Sequence, residues 1–256
     1  MSQFSTKLLL VLMLLQALTG SGQDVVRDTT KKSDIYGLRV GIDLSRPLLT
    51  LLNEDYQGLE IVGDYRISEH LYLAAELGNE SRKVEEVLDN ADGINRITLY
   101  DIESAGSYLK LGVDYNTYTN WYGMNNSILI GARYAFSTFK NTLDNYRYFD
   151  SNRYWSPNDF VAGSEFVGEY TGLNASWLEL LAGVKAELFA NFYLGASIRL
   201  NVLITDKDSG AFKNIWIPGF NRKNDNSRIG WGFNYTLSYL LPIYRKARKK
   251  PSDPPQ

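Results

Sequence analysis

The chain has 256 residues, 44% of them hydrophobic, and a formal net charge of −2. That charge argues against a sequence-independent nucleic-acid binder, and after the first twenty residues no apolar run reaches the roughly 18 residues a membrane helix needs. The absence of cysteine excludes disulfides, thiolate metal sites, a cysteine nucleophile and a lipidated cysteine, and one histidine, His70, excludes most His-based metal and triad chemistry. With 18 Tyr, 11 Phe, 5 Trp and 21 Gly, the composition fits either a membrane β-barrel or a soluble β-sandwich.

Lys7, the apolar block Leu8 to Leu15 and the small residues after it read as an export signal, cleaved between Ala17 and Gln23, with Gly20 and Gly22 as the small pair. The expected layout is a signal peptide over 1–22, a flexible lead-in over 23–33, a barrel over 34–244 and a basic, Pro-rich periplasmic tail over 245–256.

From Tyr36 a period-two pattern recurs eight times, and period two is the mark of a sheet with unlike faces. In the first run Tyr36, Leu38, Val40, Ile42 and Leu44 oppose Arg39, Gly41, Asp43 and Ser45. In the second, Leu59, Ile61, Tyr65 and Ile67 oppose Glu60, Asp64 and Arg66. The third sets Leu71, Leu73, Ala75 and Leu77 against Glu76 and Gly78, and the fourth Leu109, Leu111, Val113 and Tyr115 against Lys110, Gly112, Asp114 and Asn116. In the fifth, Ile128, Ile130, Ala132, Tyr134 and Phe136 oppose Gly131, Arg133 and Ser137. The sixth and seventh place Leu178 to Leu188 against Glu179, Gly183, Lys185 and Glu187, and Leu194 to Val202 against Gly195, Ser197, Arg199 and Asn201. The last opposes Ile229, Trp231, Phe233, Tyr235, Leu237, Tyr239 and Leu241 to Gly230, Gly232, Asn234, Thr236 and Ser238. Val62, Tyr72, Leu129, Trp177 and Leu181 break the rule by falling on the polar face.

Connectors alternate strictly. Those around Pro47–Gln57, Glu80–Ser104, Phe139–Leu173 and Thr205–Ser227 are long; Ser68–His70, Asn120–Asn126 and Phe189–Asn191 are short. Short periplasmic turns and long extracellular loops are the habit of outer-membrane barrels. The polar face is rich in Gly, Ser and Asn, as the narrow inside of an eight-stranded barrel requires. Its charges nearly balance: Arg39, Arg66, Lys110, Arg133, Lys185 and Arg199 against Asp43, Glu60, Asp64, Glu76, Asp114, Glu179 and Glu187. Mutual pairing in a confined interior is expected, because unpaired buried charge is costly. Aromatics gather at the projected strand ends: Tyr36, Tyr65, Tyr118, Trp121, Tyr122, Phe192, Tyr239 and Tyr244 at the short-turn end, and Phe136, Phe139, Trp177 and Trp231 at the other. These are two expected interfacial girdles. The fold class is thus all-β, a closed antiparallel up-and-down transmembrane β-barrel of eight strands with its apolar face outward.

The segments YGLRVGIDLSRPL, GLEIVGDYRI, GVDYN, SWLELLAGVKAELF, IPGFNR and GWGFNYTLSYLLPIY carry a resemblance. Over Tyr36 to Tyr244 the chain resembles the domain of unknown function 6048 family of Bacteroidota-type outer-membrane barrels, and it is loosely similar to small OmpA/OmpX-type barrels. The resemblance implies an outer-membrane barrel and no assigned activity. The last strand also resembles the signal read by the barrel-assembly machinery, through Arg228, Gly230, Phe233 and Tyr235; it departs from that pattern because a tail follows.

Catalytic chemistry is sparse. His70 shares a tight turn with Ser68 and Glu69, and three residues there cannot converge on one reacting atom, so the turn reads as polar filling. Glu60, Asp64 and Glu76 read as salt-bridge partners rather than an acid/base pair. No catalytic residue, metal site or cofactor is expected. The third long connector crowds Tyr148, Arg153, Tyr154 and Trp155, and the fourth adds Trp216 and Phe220. Aromatics and Arg are enriched at binding hot spots, so these six form a candidate extracellular platform for a glycan or protein; the competing reading is that they plug the barrel mouth. The third connector is expected to be ordered as a strand extension or hairpin, with Tyr148, Tyr154 and Trp155 half-buried. The expected partners are outer-membrane lipid, the barrel-assembly machinery and that extracellular ligand. The first expectation is a non-enzymatic structural or surface-interaction barrel of the outer membrane; a lipid- or envelope-modifying enzyme and a narrow pore are the alternatives.

Overall fold

The structure is a computed structural model that describes residues 33–89, 96–118, 126–149, 160–210, 212–223 and 227–247. The export signal and nearly all of the lead-in, together with Trp121, Tyr122, Arg153, Tyr154, Trp155 and the tail after Ala247, lie outside the described residues. In chain order the elements are β1 (Ser33–Asp43), helix α1 (Ser45–Leu52), β2 (Tyr56–Arg66), β3 (Leu71–Asp89), β4 (Arg96–Asn116) and β5 (Ser127–Phe149). Then follow the short β6 (Phe160–Ala162), a 3-10 turn (Ser164–Phe166), β7 (Gly168–Phe189), β8 (Phe192–Lys207), β9 (Trp216–Ile217), β10 (Asn221–Arg222) and β11 (Ile229–Ala247).

The eight long strands pair antiparallel with their sequence neighbours, and β11 returns to β1 in the register Leu38↔Leu241 and Ile42↔Leu237, so the ring closes. Closure joins the first strand to the last, which is the condition for a sheet to span lipid; only beyond Asp43 do the edges of β2 and β11 part. Alternation then sorts the side chains inside out relative to a soluble barrel. Leu73, Leu77, Leu111, Ile130, Leu180, Ile198, Phe233 and their neighbours are exposed, while Arg39, Glu60, Glu76, Lys110, Arg133, Glu179 and Arg199 are buried. The chain is therefore a transmembrane β-barrel. On β5 the outward residues run apolar from Ile128 to Phe136 and then turn polar at Thr138 and Lys140. At about 3.3 Å per residue and a tilt of about 40°, the apolar stretch rises roughly 20 Å, close to the height of a barrel's lipid band.

Four strands do not stop at that boundary. β3, β4, β5 and β7 continue past it as a four-stranded polar wall, whose outer face carries Lys83 with Asp101 at 2.9 Å and Lys140 with Glu169 at 3.2 Å. Most of Glu80–Ser104 and much of Phe139–Leu173 are thus strand and not loop, and the connector at Pro47–Gln57 holds α1 and the start of β2. β5 reaches Phe149 and pairs with β6, the extension expected for the third connector, and Tyr148 on it is half-buried.

The girdle reading needs correction at three residues. Tyr36 is buried: beside an extra residue in β11 (Tyr36 faces Tyr244, Gly37 faces Pro242) its ring stacks on Tyr244 at 5.1 Å and the Arg66 guanidinium lies over it at 4.7 Å. Phe139 and Trp177 point into the barrel and not to lipid. Above the charged layer the interior is apolar, so an inward aromatic is at home there. Phe136 and Trp231 are exposed, as a girdle requires.

Candidate functional site

The interior has two storeys. The lower one, level with the lipid band, is ionic. Arg199 lies 2.5 Å from Glu76 and 3.0 Å from Glu179, Lys110 lies 3.0 Å from Glu179, and Arg133 reaches Asp114 at 2.8 Å and Glu76 at 3.4 Å. Nearer the short turns, Asp64 is shared by Arg39 at 2.7 Å and Lys185 at 2.6 Å. The pairing expected from the near-balanced charges is present. Arg66 donates to the carbonyls of Ser68 and Glu69, Glu187 accepts the N–H of Asn191, and Asp43 meets Arg46 at 3.8 Å. A cavity of about 40 Å³ remains among Asp64, Glu76, Asp114, Arg133, Lys185 and Arg199, enough for a few waters at most.

The upper storey is a plug. After β8 the chain turns back over the barrel, and Ile217-Pro218-Gly219-Phe220 makes a tight turn in which the Phe220 N–H donates to the Ile217 carbonyl at 3.0 Å. Pro at the second position and Gly at the third, with φ of +84°, meet the demands of a type II turn. Gly219 is also required by space: a Cβ there would lie 2.6 Å from the Tyr108 ring, and one on Gly78 would lie 2.2 Å from the same ring. The turn drives Phe220 (1% exposed) and Ile217 into a core made by Tyr108, Phe139, Leu173, Trp177 and Leu203. Phe220 meets Trp177 edge to face at 5.7 Å.

Between the storeys lies a polar clasp. Glu80 accepts hydrogen bonds from Arg46 at 3.1 Å, from the Trp216 indole N–H at 2.7 Å and from the Gly219 N–H at 3.2 Å. Arg46 also donates to the Tyr56 hydroxyl at 3.1 Å and to Asn221 at 3.3 Å, while the Tyr108 hydroxyl donates to Glu60 at 2.5 Å. Asn141, Asn214 and Asp206 tie the plug to the wall, and Lys223 pairs with Asp206. Glu80 and Arg46 escaped the sequence reading. Glu80 continues the phase of Glu76 and Gly78 and could have been found by extending the strand; Arg46 has no periodic signal, since it lies on a short helix.

The six platform residues are divided by this geometry. Phe220 is core and cannot contact an outside ligand. Trp216 is half-buried with its indole N–H committed to Glu80, and the Arg82 guanidinium lies over its ring at 5.5 Å. Both serve the plug. Tyr148 stays half-buried on the wall and stacks with Tyr146 at 6.0 Å; Arg153, Tyr154 and Trp155 lie outside the described residues. On the assembly-signal strand Phe233 and Tyr235 face outward and Gly230 packs inward beneath Phe220, while Arg228, just before the strand, is exposed.

His70 is used by its turn: Nδ1 lies 3.0 Å from the Asn116 carbonyl and the ring stacks on Tyr115 at 5.6 Å. Ser68 accepts the Leu71 N–H at 3.1 Å. Among the described residues no cluster of His, Cys, Asp or Glu could hold a metal. What the arrangement does chemically is fill and tie the lumen.

No curated protein sequence matches the chain. Among solved structures it is similar to Ail, the attachment invasion locus protein of Yersinia pestis, in a complex with the heparin analogue sucrose octasulfate; identity is 12% over 85% of this chain and 100% of that one, with a TM-score of 0.35. It is also similar to CarO of Acinetobacter baumannii (14% identity, 81% and 98% covered, TM-score 0.34) and to a major outer membrane protein of Thermus thermophilus (14%, 80% and 98%, 0.33). Likeness at this level transfers no site and no ligand. A family model described as a domain of unknown function (DUF6048) matches residues 1–246.

Proposed function

The chain belongs to the domain of unknown function 6048 family, and from that premise we propose that it is an exported outer-membrane barrel with a shut lumen, whose role is to present a surface rather than to transport or catalyse. One observation carries this reading. The lumen is filled twice over, by paired charges and by an apolar plug, while the strands that could have ended at the lipid boundary go on to build a polar wall beyond it. A pore needs the first space and has no use for the second. The wall faces outside the cell and the short turns face the periplasm. The candidate contact surface is the wall with Tyr148 and, later in the same connector sequence, Arg153, Tyr154 and Trp155, and its ligand is an extracellular glycan or protein. Arg228, Gly230, Phe233 and Tyr235 serve recognition by the assembly machinery.

The cysteine-free sequence makes the orientation directly measurable. Single cysteines at Lys83 and Glu169 on the wall, and at Ser68 in a short turn, are exposed to a membrane-impermeant maleimide on intact cells. Positions 83 and 169 should label, and position 68 only after the envelope is permeabilised. Labelling of Ser68→Cys alone on intact cells contradicts the proposed orientation.

A further inference from the structure

Helix α1 stands where a strand should be. β1 pairs with β11 only as far as Asp43↔Thr236 and with β2 only as far as Ile42↔Ile61. Beyond that point β2 runs on from Tyr56 to Glu60 and β11 from Ile229 to Tyr235, with no strand between them among the described residues. α1 packs against both. The Leu44 N–H before the helix donates to the Tyr235 carbonyl at 2.6 Å, and Thr50 Oγ1 accepts the Gly58 N–H at 3.0 Å, so the helix occupies the gap in the wall.

Its two faces differ completely. At 100° per residue Arg46 and Thr50 share one side, and both are turned inward, Arg46 buried in the clasp with Glu80 and Tyr56. Leu48, Leu51 and Leu52 occupy the opposite side and Leu49 flanks it, all exposed, with no charged residue among them. A helix end facing water would not carry four exposed leucines in eight residues. On either side of the gap Leu59 on β2 and Trp231 and Phe233 on β11 are outward and apolar, while Gln57, nearer the start of β2, is outward and polar. The leucine face is therefore continuous with the lipid belt.

We infer that α1 is a lipid-facing segment of the barrel wall, with its four leucines covered by acyl chains of the leaflet on the long-connector side. A helix can take this place because it satisfies its own backbone, as in Leu48 N–H to the Leu44 carbonyl and Asn53 N–H to the Leu49 carbonyl. The inference rests on the outward belt being a membrane face, and its test separates the two. Nitroxide labels are placed on single cysteines at Leu48 and Leu51, at Ile198 in the belt and at Lys83 on the polar wall, in full-length protein reconstituted into phosphatidylcholine vesicles. Collision with oxygen is compared with collision with a water-soluble nickel chelate. Labels at 48 and 51 should favour oxygen, as at 198, while 83 favours the chelate. If 198 favours oxygen but 48 and 51 match 83, the helix stands in water and the inference fails alone. If 48 and 51 are shielded from both reagents, protein covers the helix, such as a second copy, and the inference fails too. If 198 itself favours the chelate, the membrane reading falls and takes this inference with it.

Discussion

Ser197 and Ile198 are adjacent on β8 and live in different solvents. Ile198 is 57% exposed on the belt, while Ser197 lines the small cavity with Asp64, Glu76 and Asp114. An arginine on the lipid face near mid-bilayer costs about 2–4 kcal/mol in a membrane barrel, so Ile198→Arg should lose that much unfolding free energy in vesicles. Ser197→Arg should lose less, since its side chain stays off the lipid face, though crowding by Arg133, Lys185 and Arg199 keeps the loss above zero. The opposite ranking would mean that the apolar face points inward. Residue identity was legible at these positions because two unlike solvents lie either side of a thin wall. It failed at Tyr36, which Tyr244 and the Arg66 guanidinium cover without leaving a mark in the hydropathy pattern of β1.

At the scale of elements the limits of period-two reading have one physical cause. Alternation is visible only where the two faces differ, and above the lipid boundary they converge. On β3, outward Asn79 and Ser81 alternate with inward Glu80 and Arg82, polar on both sides, so strand reads as loop. In the plug the convergence goes the other way: Phe139 and Trp177 face inward to an apolar core, and aromatic residues at strand ends pass for a girdle. The plug itself makes a prediction. Phe220 is held by Trp177 on its edge and by Gly230 beneath it. Phe220→Ala leaves a cavity that the closed ring cannot collapse, and should cost about 3–5 kcal/mol in a denaturant titration of the folded barrel. A loss below about 1 kcal/mol would show that the mouth is loosely filled and would reopen Phe220 to the platform reading.

The whole molecule is lopsided. On one side β1 and β2 are short and α1 completes the belt; on the other, β3 to β7 rise well past it. The plug bridges the two, tied to the wall through Asn141 and Asn214 and to α1 through Glu80 and Arg46. On the proposed function such a shape separates tasks: the ring anchors the protein in lipid, the lumen contents hold the ring in one register, and the wall meets whatever lies outside. The central claim, that the barrel is anchored in lipid and closed, is tested most directly by current across a planar bilayer containing the purified, refolded protein. With both storeys filled, insertion should leave the membrane at its baseline conductance, without discrete steps, across the voltage range the bilayer tolerates. Stepwise, salt-dependent conductance from the wild-type protein, absent from mock-inserted bilayers, would contradict it.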